Sequence, residues 1–124
     1  MLTGLSIEVL GKLQAGVFSP CTIPSCSYFQ ADHIAVGSTA WSFPAVVLND
    51  STVSPRHALI TQENQQWVIQ DLDSDNGIRS IQFSPGTEMI SGRAQQACRI
   101  EFAEQLCCCI GAVVLRIRAV ECKK

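Results

Sequence analysis

Two stretches of the chain carry most of the information about its fold: Val53-Ser54-Pro55-Arg56-His57-Ala58 and Asp71-Leu72-Asp73-Ser74-Asp75-Asn76-Gly77-Ile78. The shorter stretches Gly37-Ser38 and Val47-Leu48-Asn49-Asp50 precede them in the chain. Each stretch alone is a weak signal, and an Asn-Gly pair between strands first of all indicates a hairpin turn. Their order and spacing make the prediction specific, because the turn-rich segments then fall between candidate strands.

Apolar and polar residues alternate in several short runs, as in Cys98–Phe102 and Val113–Ile117. A period of two gives a strand one buried face and one face in water. Further candidate strands are Leu5–Leu10, His33–Val36, Ala45–Leu48, His57–Thr61 and Trp67–Asp71. Turns are predicted at Gly11, Pro20, Pro24, Asn49-Asp50, Glu63-Asn64, Asn76-Gly77, Pro85-Gly86, Ser91-Gly92 and Gly111. Many short strands separated in this way predict an all-β sandwich.

The segment Gly92–Leu106 is ambiguous, because it is rich in Ala, Gln and Glu and could form a short helix on propensity alone. The alternation over Cys98–Phe102 favours a strand there. We therefore expect a loop or a helical turn before that strand.

The composition is that of one globular domain spanning residues 1–124, with 47% hydrophobic and 16% charged residues. Such a chain can bury a substantial core. Its net charge is −2, and it has neither a basic stripe nor an aromatic stacking platform, so we exclude nucleic acid as a partner.

No targeting signal is recognisable in the first twenty residues, because Ser6, Glu8, Lys12 and Gln14 interrupt the apolar run. The longest strongly apolar stretch, Leu106–Leu115, is shorter than the ~20 residues that a spanning helix needs. We therefore predict a soluble, cytoplasmic domain. A membrane-spanning segment beyond Lys124 would be compatible with this prediction.

Seven cysteines are many for 124 residues: Cys21, Cys26, Cys98, Cys107, Cys108, Cys109 and Cys122. Their odd number and the three consecutive positions favour reduced thiols over a secreted disulfide framework. In a strand, Cys107 and Cys109 would lie on the face opposite Cys108, so the three could not converge on one metal ion. We predict small buried apolar residues rather than metal ligands, and we predict no cofactor.

Between Gly37 and Ile78 the quoted stretches resemble the forkhead-associated (FHA) domain. The resemblance implies the SMAD/FHA fold, a β-sandwich of two antiparallel sheets with about ten to eleven short strands and ligand loops at one apex. It implies a structural role for Gly37, His57 and Gly77. It places Ser38, Ser54, Arg56, Ser74, Asp75 and Asn76 on the loops that bind a ligand or partner.

The phosphothreonine site that the resemblance implies is altered in this chain. In the family, an Arg directly after the glycine that corresponds to Gly37 binds the phosphate, and this chain has Ser38 there. A donor side chain after the serine that corresponds to Ser54 also binds the phosphate, and this chain has Pro55 there. Asp75 replaces the usual Thr and adds a like charge near the position of a phosphate dianion. Since charge-assisted donors are worth roughly 1.5–3 kcal/mol each, we expect little phosphate-dependent binding.

This altered pattern resembles the cytoplasmic N-terminal domain of the larger inner-membrane ring protein of bacterial type III secretion systems, the SctD/YscD family. The first predicted hairpin, Leu5–Gly16, and the final Lys123-Lys124 fit that resemblance. It implies a non-catalytic docking domain whose partners are sorting-platform components or neighbouring ring subunits. The alternative is a stand-alone FHA module that binds phosphothreonine peptides.

A hydrolase is the remaining alternative, because Ser54 and His57 are three residues apart. However, Ser54 lacks the Gly-x-Ser-x-Gly elbow, and no acidic partner for His57 can be assigned from the sequence. A single histidine beside an arginine is more often structural. We therefore predict no catalytic residues.

Overall fold

Alternating apolar and polar residues produce eleven strands in the described part of the chain. A computed structural model describes residues 3–14, 17–64, 66–83, 89–91 and 98–121. The strands are β1 Thr3–Gln14, β2 Val17–Phe29, β3 His33–Gly37, β4 Ala45–Val47, β5 Ala58–Glu63, β6 Gln66–Asp71, β7 Ile78–Phe83, β8 Met89–Ser91, β9 Arg99–Phe102, β10 Gln105–Ile110 and β11 Val113–Glu121. No helix long and apolar enough to cross a membrane occurs in these ranges.

The strands form two sheets, of which one has the order β2-β1-β11-β10-β7-β8 and the other β4-β3-β5-β6-β9. Every assigned pair is antiparallel except β3–β4, which is parallel. The predicted all-β sandwich and its number of strands are therefore confirmed. The two sheets are antiparallel as expected apart from β4, which returns beside β3 in parallel after the loop 38–44.

The main core lies between the two sheets and contains the inward-facing residues of both. Trp67 is its largest fully buried side chain, and Ile34, Ile60, Ile69 and Leu115 pack in the same cluster. Burying a side chain of this size stabilises a fold by about 1.5–3 kcal/mol. Because β3, β5 and β6 contribute to this core, the loops that leave their ends start from fixed positions.

The three consecutive cysteines follow the predicted alternation on β10. Cys108 is fully buried in the main core, whereas Cys107 and Cys109 face the other side of their sheet and pack with Ile81 and Val114. Burial raises the pKa of the Cys109 thiol to about 11 and that of Cys108 further still. All six described cysteines are free of disulfides, and Cys122 lies outside the described residues.

Three of the predicted turns do not occur where the sequence placed them. Gly11 lies inside β1, at an irregularity where the pairing register shifts, and Pro20 and Pro24 lie inside β2. Proline is tolerated in β2 because this strand forms the edge of its sheet. The hairpin joining β1 to β2 is confirmed by the pairing of Gln14 with Val17.

Some sequence-based predictions fall outside the described residues. These are the turn at Pro85-Gly86, the loop or helical turn over residues 92–97, and the terminal Lys123-Lys124. The predicted strand over Cys98–Phe102 is confirmed as β9, which begins one residue later at Arg99.

Candidate functional site

Three loops meet at one end of the sandwich, and we call them the tip loops: residues 38–44, 48–57 and 72–77. The first two are joined by the Ser38 N–H, which donates to the Ser54 carbonyl at 3.0 Å. The Thr39 hydroxyl donates to the Pro55 carbonyl at 3.2 Å. The Asp75 N–H donates to the Ser54 hydroxyl oxygen at 3.1 Å and so connects the third loop.

His57 is the buried brace of the tip loops, with 0% of its surface exposed. Its Nδ1 accepts the Ser54 N–H at 3.0 Å, and its Nε2 lies 2.8 Å from the Gly77 carbonyl oxygen. Because Nδ1 accepts, Nε2 carries the proton and donates, which defines a neutral tautomer. One imidazole therefore satisfies a backbone group on each of two tip loops.

Asp71 and Ser74 shape the third tip loop from inside, and both are buried. The Ser74 hydroxyl donates to the Asp71 carboxylate at 2.5 Å and accepts the Gly77 N–H at 2.8 Å. The Ser74 N–H donates to the same carboxylate at 3.1 Å. This geometry places Ser74 among the residues that hold the loop, away from its accessible surface.

Thr52 connects the tip loops to the six-stranded sheet. Its hydroxyl donates to Asp50 at 2.6 Å and accepts the Ala112 N–H from the β10–β11 turn at 2.8 Å. Its carbonyl oxygen accepts from Asn76 Nδ2, also at 2.8 Å. Asp50 in turn forms an ion pair of 2.6 Å with Lys12 of β1. The second tip loop is thus tied to both sheets and to the third loop.

Gly37 and Gly77 are each required as glycine, but for different reasons. Gly77, to which the resemblance gave a structural role, has a φ of 71°, which an L residue with a bulky side chain rarely adopts. At Gly37 the reason is close approach, because a Cβ there would lie 2.0 Å from the Pro55 carbonyl oxygen. The first and second tip loops can therefore touch only if residue 37 has no side chain.

Arg56 is exposed at the tip, and its guanidinium carbon lies 5.9 Å from the centre of the Trp41 ring. The Trp41 indole N–H donates to the Val36 carbonyl at 3.3 Å, which holds the ring against the end of β3. A cation over an aromatic face is stabilised by about 0.5–1 kcal/mol at an exposed site. The charge of Arg56 is consequently positioned over the first tip loop.

The tip loops carry more negative than positive charge. Their sequence contains one arginine, Arg56, and two exposed carboxylates, Asp73 and Asp75, whereas the side chain of Asp50 is only 5% exposed and is paired with Lys12. The ion pair with Lys12, helped by hydrogen bonds from Thr52, lowers the pKa of Asp50 from 3.8 to about 2. Asp50 is therefore ionised at neutral pH.

The predicted site residues come together in this structure, but at different depths. Asp75 and Asn76 are exposed with Arg56, Ser38 and Ser54 are half-buried, and Gly37, His57, Ser74 and Gly77 are buried. No group of three or more His, Cys, Asp or Glu side chains that could hold a metal occurs in the described part of the chain.

Sequence reasoning missed Thr52, Asp50 and Asp71 as organisers of the tip. The spacing Asp50-x-Thr52 and Asp71-x-x-Ser74 is a recognisable signal, because short polar side chains at these separations bond to nearby backbone N–H groups. Outside the tip, Arg116 of β11 forms a two-pronged ion pair with Glu8 of β1.

The sequence profile of the FHA domain matches residues 34–103, which include every tip loop described above. The chain belongs to the FHA domain family. FHA domains are protein-interaction modules that often bind phosphothreonine, and they are generally not enzymes. The comparison with curated proteins found no match.

Solved FHA domains from distant organisms share the architecture. The FHA-1 domain of Mycobacterium tuberculosis Rv1747 is 16% identical with a TM-score of 0.63, and the match covers 98% of this chain and 100% of that one. The FHA domain of the Chlamydia trachomatis protein CT664 is 19% identical with a TM-score of 0.63, covering 97% and 99%. An FHA domain of an Arabidopsis thaliana hypothetical protein is 16% identical with a TM-score of 0.67, covering 99% and 91%. At these identities the likeness shows the fold alone.

Proposed function

We propose that this FHA domain is a non-catalytic docking domain that binds protein partners largely without phosphate. We further propose that it belongs to the cytoplasmic side of a type III secretion inner-membrane ring. There it would bind sorting-platform components or neighbouring ring subunits. The observation that carries the first proposal is the charge of the tip, where a phosphate dianion would meet one arginine, Arg56, and two exposed carboxylates, Asp73 and Asp75.

The altered clamp positions support phosphate-independent binding. Ser38 uses its backbone N–H to join two tip loops, so that donor is already committed. Pro55 has no N–H to offer, and its carbonyl packs against Gly37. A phosphate carries about −1.5 to −2 charge and needs several charge-assisted donors when water is displaced. Arg56 alone, shared with Trp41, is a weak substitute for such a clamp.

The tip does offer groups that suit an uncharged peptide segment. The Ser54 hydroxyl accepts from Asp75 and keeps its own hydrogen for an outside acceptor. Asn76 uses one N–H for Thr52, and its second N–H and its oxygen remain available for a partner's backbone. The exposed Phe43 on the first tip loop adds apolar contact area. A protein segment with unmodified side chains matches this combination.

The test is a calorimetric titration of the chain with threonine peptides and with their phosphorylated counterparts. Under our proposal, phosphorylation does not improve binding. The secretion role is tested separately, by co-purification with the cytoplasmic components of a secretion system encoded beside the gene, using Asn76→Ala as the weakened variant. Binding that requires the phosphate would overturn the first proposal, and failure to bind any of those components would overturn the second.

A phosphothreonine reader is the second candidate, because this chain retains Ser54, Asn76 and the brace His57. In that case Arg56 would leave Trp41 and turn toward the phosphate. Arg56→Ala would then abolish phosphopeptide binding. Under the docking proposal, the same substitution changes the affinity for unmodified segments only modestly.

Two broader assignments belong to the same proposal. We assign residues 1–124 to a single FHA-like unit, since the two sheets share one core. We also assign the unit to the cytoplasm, at the inner face of the membrane if a spanning segment follows Lys124. Fractionation of cells that express the gene would test the location.

A further inference from the structure

One side of the sandwich is formed by the free edges of β2 and β4, each the last strand of its sheet. Both edges border a groove of about 190 Å³ that is lined by Cys21 and Ser25 from β2 and by Val47 and Leu48 at β4. In the described part of the chain, no strand pairs with the outer edge of β2. This edge therefore presents backbone N–H and C=O groups that an added strand can bind.

Exposed large apolar side chains concentrate on these two edges. Those found among the described residues are Val17 (65% exposed) and Tyr28 (52%) on β2, Val47 (51%) on β4, and Phe43 (77%) two residues before β4. The edge strand on the opposite side of the five-stranded sheet, β9, carries the charged residues Arg99 and Glu101 instead. The side of the sandwich formed by β2 and β4 is therefore the one where a partner would bury exposed apolar surface.

β2 lacks the charges that usually protect an edge strand. None of its thirteen residues, Val17–Phe29, is charged. Pro20 and Pro24 cannot donate a backbone hydrogen bond, so they limit any added pairing to the segment Ser25–Phe29. Within this segment Ser25, Cys26, Ser27 and Tyr28 are exposed. An uncharged edge of this kind is open to pairing with another strand.

We propose that Ser25–Phe29 pairs antiparallel with the same segment of a second copy of this chain. When the same segment of two copies pairs antiparallel, a two-fold axis relates the copies, and each copy contributes the same residues to the contact. The absence of charge on β2 means that the copies meet without repulsion. The nearest charged groups of the groove, Lys12 and Asp50, neutralise each other in their ion pair.

The contact is small, and the dimer is accordingly weak. Five paired residues bury less than the roughly 1,200 Å² typical of stable specific complexes. Association therefore depends on protein concentration. It involves β2 and not the tip loops, so it is independent of the docking function proposed above.

Sedimentation equilibrium under reducing conditions tests the proposal, since a reductant prevents a disulfide through Cys26. The apparent mass is expected to rise from 13.5 kDa toward twice that value with increasing concentration. Ser27→Lys places like charges at the two-fold axis and should keep the mass at that of the monomer. The matched control Ser51→Lys, at an exposed turn residue of the tip, should associate as the unchanged chain does.

Hydrogen exchange provides a second readout that a loss of folding cannot mimic. Amides of Ser25–Phe29 should become more protected as the concentration rises, and those of β9 should not change. A monomeric mass at every concentration would overturn the proposal, leaving the edge to some other partner. Equal association of Ser27→Lys, or protection gained elsewhere than β2, would overturn it too.

Discussion

The side-chain amide of Asn76 donates to the carbonyl oxygen of Thr52 at 2.8 Å, which joins two tip loops at the position where a partner is expected. Thr52 also accepts the backbone N–H of Ala112 from the other sheet. The surface proposed to bind proteins is thus held in place by the whole sandwich. A site organised in this way loses little conformational entropy on binding.

His57→Ala should destabilise the fold by about 2–4 kcal/mol, because it opens a cavity and leaves two buried backbone groups unpaired. Urea unfolding followed by circular dichroism measures the change. Arg56→Ala is the matched control one residue away, where the side chain is exposed and stability should hardly change. Equal stability of the two variants would show that His57 is not the brace.

Gly37→Ala should cost about 1–3 kcal/mol, because the added methyl group meets the backbone of Pro55 and forces the loops apart. The thermal midpoint reports this loss. Ser38→Ala, at the next position, should leave the midpoint nearly unchanged. A stable Gly37→Ala variant would mean that the first two tip loops can separate freely.

Thr52→Val keeps the shape of the side chain but removes the hydroxyl that serves Asp50 and Ala112. We expect a loss of about 1–3 kcal/mol in unfolding free energy. Asn76→Ala and Ser54→Ala should each cost within about 1 kcal/mol and should weaken partner binding instead. If Ser54→Ala unfolds the protein, Ser54 is structural and does not belong to the binding surface.

The ion pair between Asp50 and Lys12 should make the free energy of unfolding depend on pH in the acid range. The pKa of Asp50 is lowered to about 2 in the folded state, so its contribution is complete above the usual value of 3.8 and is lost as pH falls through 2. Because Lys12 is half-exposed, this contribution should be about 1–2 kcal/mol.

Unfolding free energies of the unchanged chain and of Asp50→Asn, measured from pH 2 to pH 7, test this dependence. The difference between them should be largest above pH 4 and should shrink toward pH 2. Glu63→Gln removes a carboxylate from the exposed pair with Arg99 and should have little effect at any pH. A constant difference between the chain and Asp50→Asn would contradict the assignment.

Thiol accessibility should divide the cysteines by strand and by face. An alkylating reagent should modify Cys26 in the folded protein and should reach Cys107, Cys108 and Cys109 only after unfolding, since these three are buried and burial raises their pKa. Peptide mapping by mass spectrometry identifies each modified position. Rapid native labelling of Cys108 would contradict its place in the core.

The sequence by itself predicted seven of the eleven strands, namely β1, β3, β4, β5, β6, β9 and β11, and the alternating faces of a strand. Alternation with a period of two is a local property, so Cys107, Cys108 and Cys109 could be assigned to opposite faces before any fold was known. The structural roles of His57 and Gly77 followed instead from motif order and from the resemblance.

Only the tertiary structure decided which side chains meet at the tip and at what depth. Thr52 reaches Ala112 across 60 positions of the chain, and Ser74 turns inward to Asp71 instead of outward to a partner. Gly37 is required by the approach of Pro55, a contact that no local pattern encodes. These relationships arise because strands distant in sequence become neighbours in the two sheets, and the order of strands in a sheet is set by packing of the shared core.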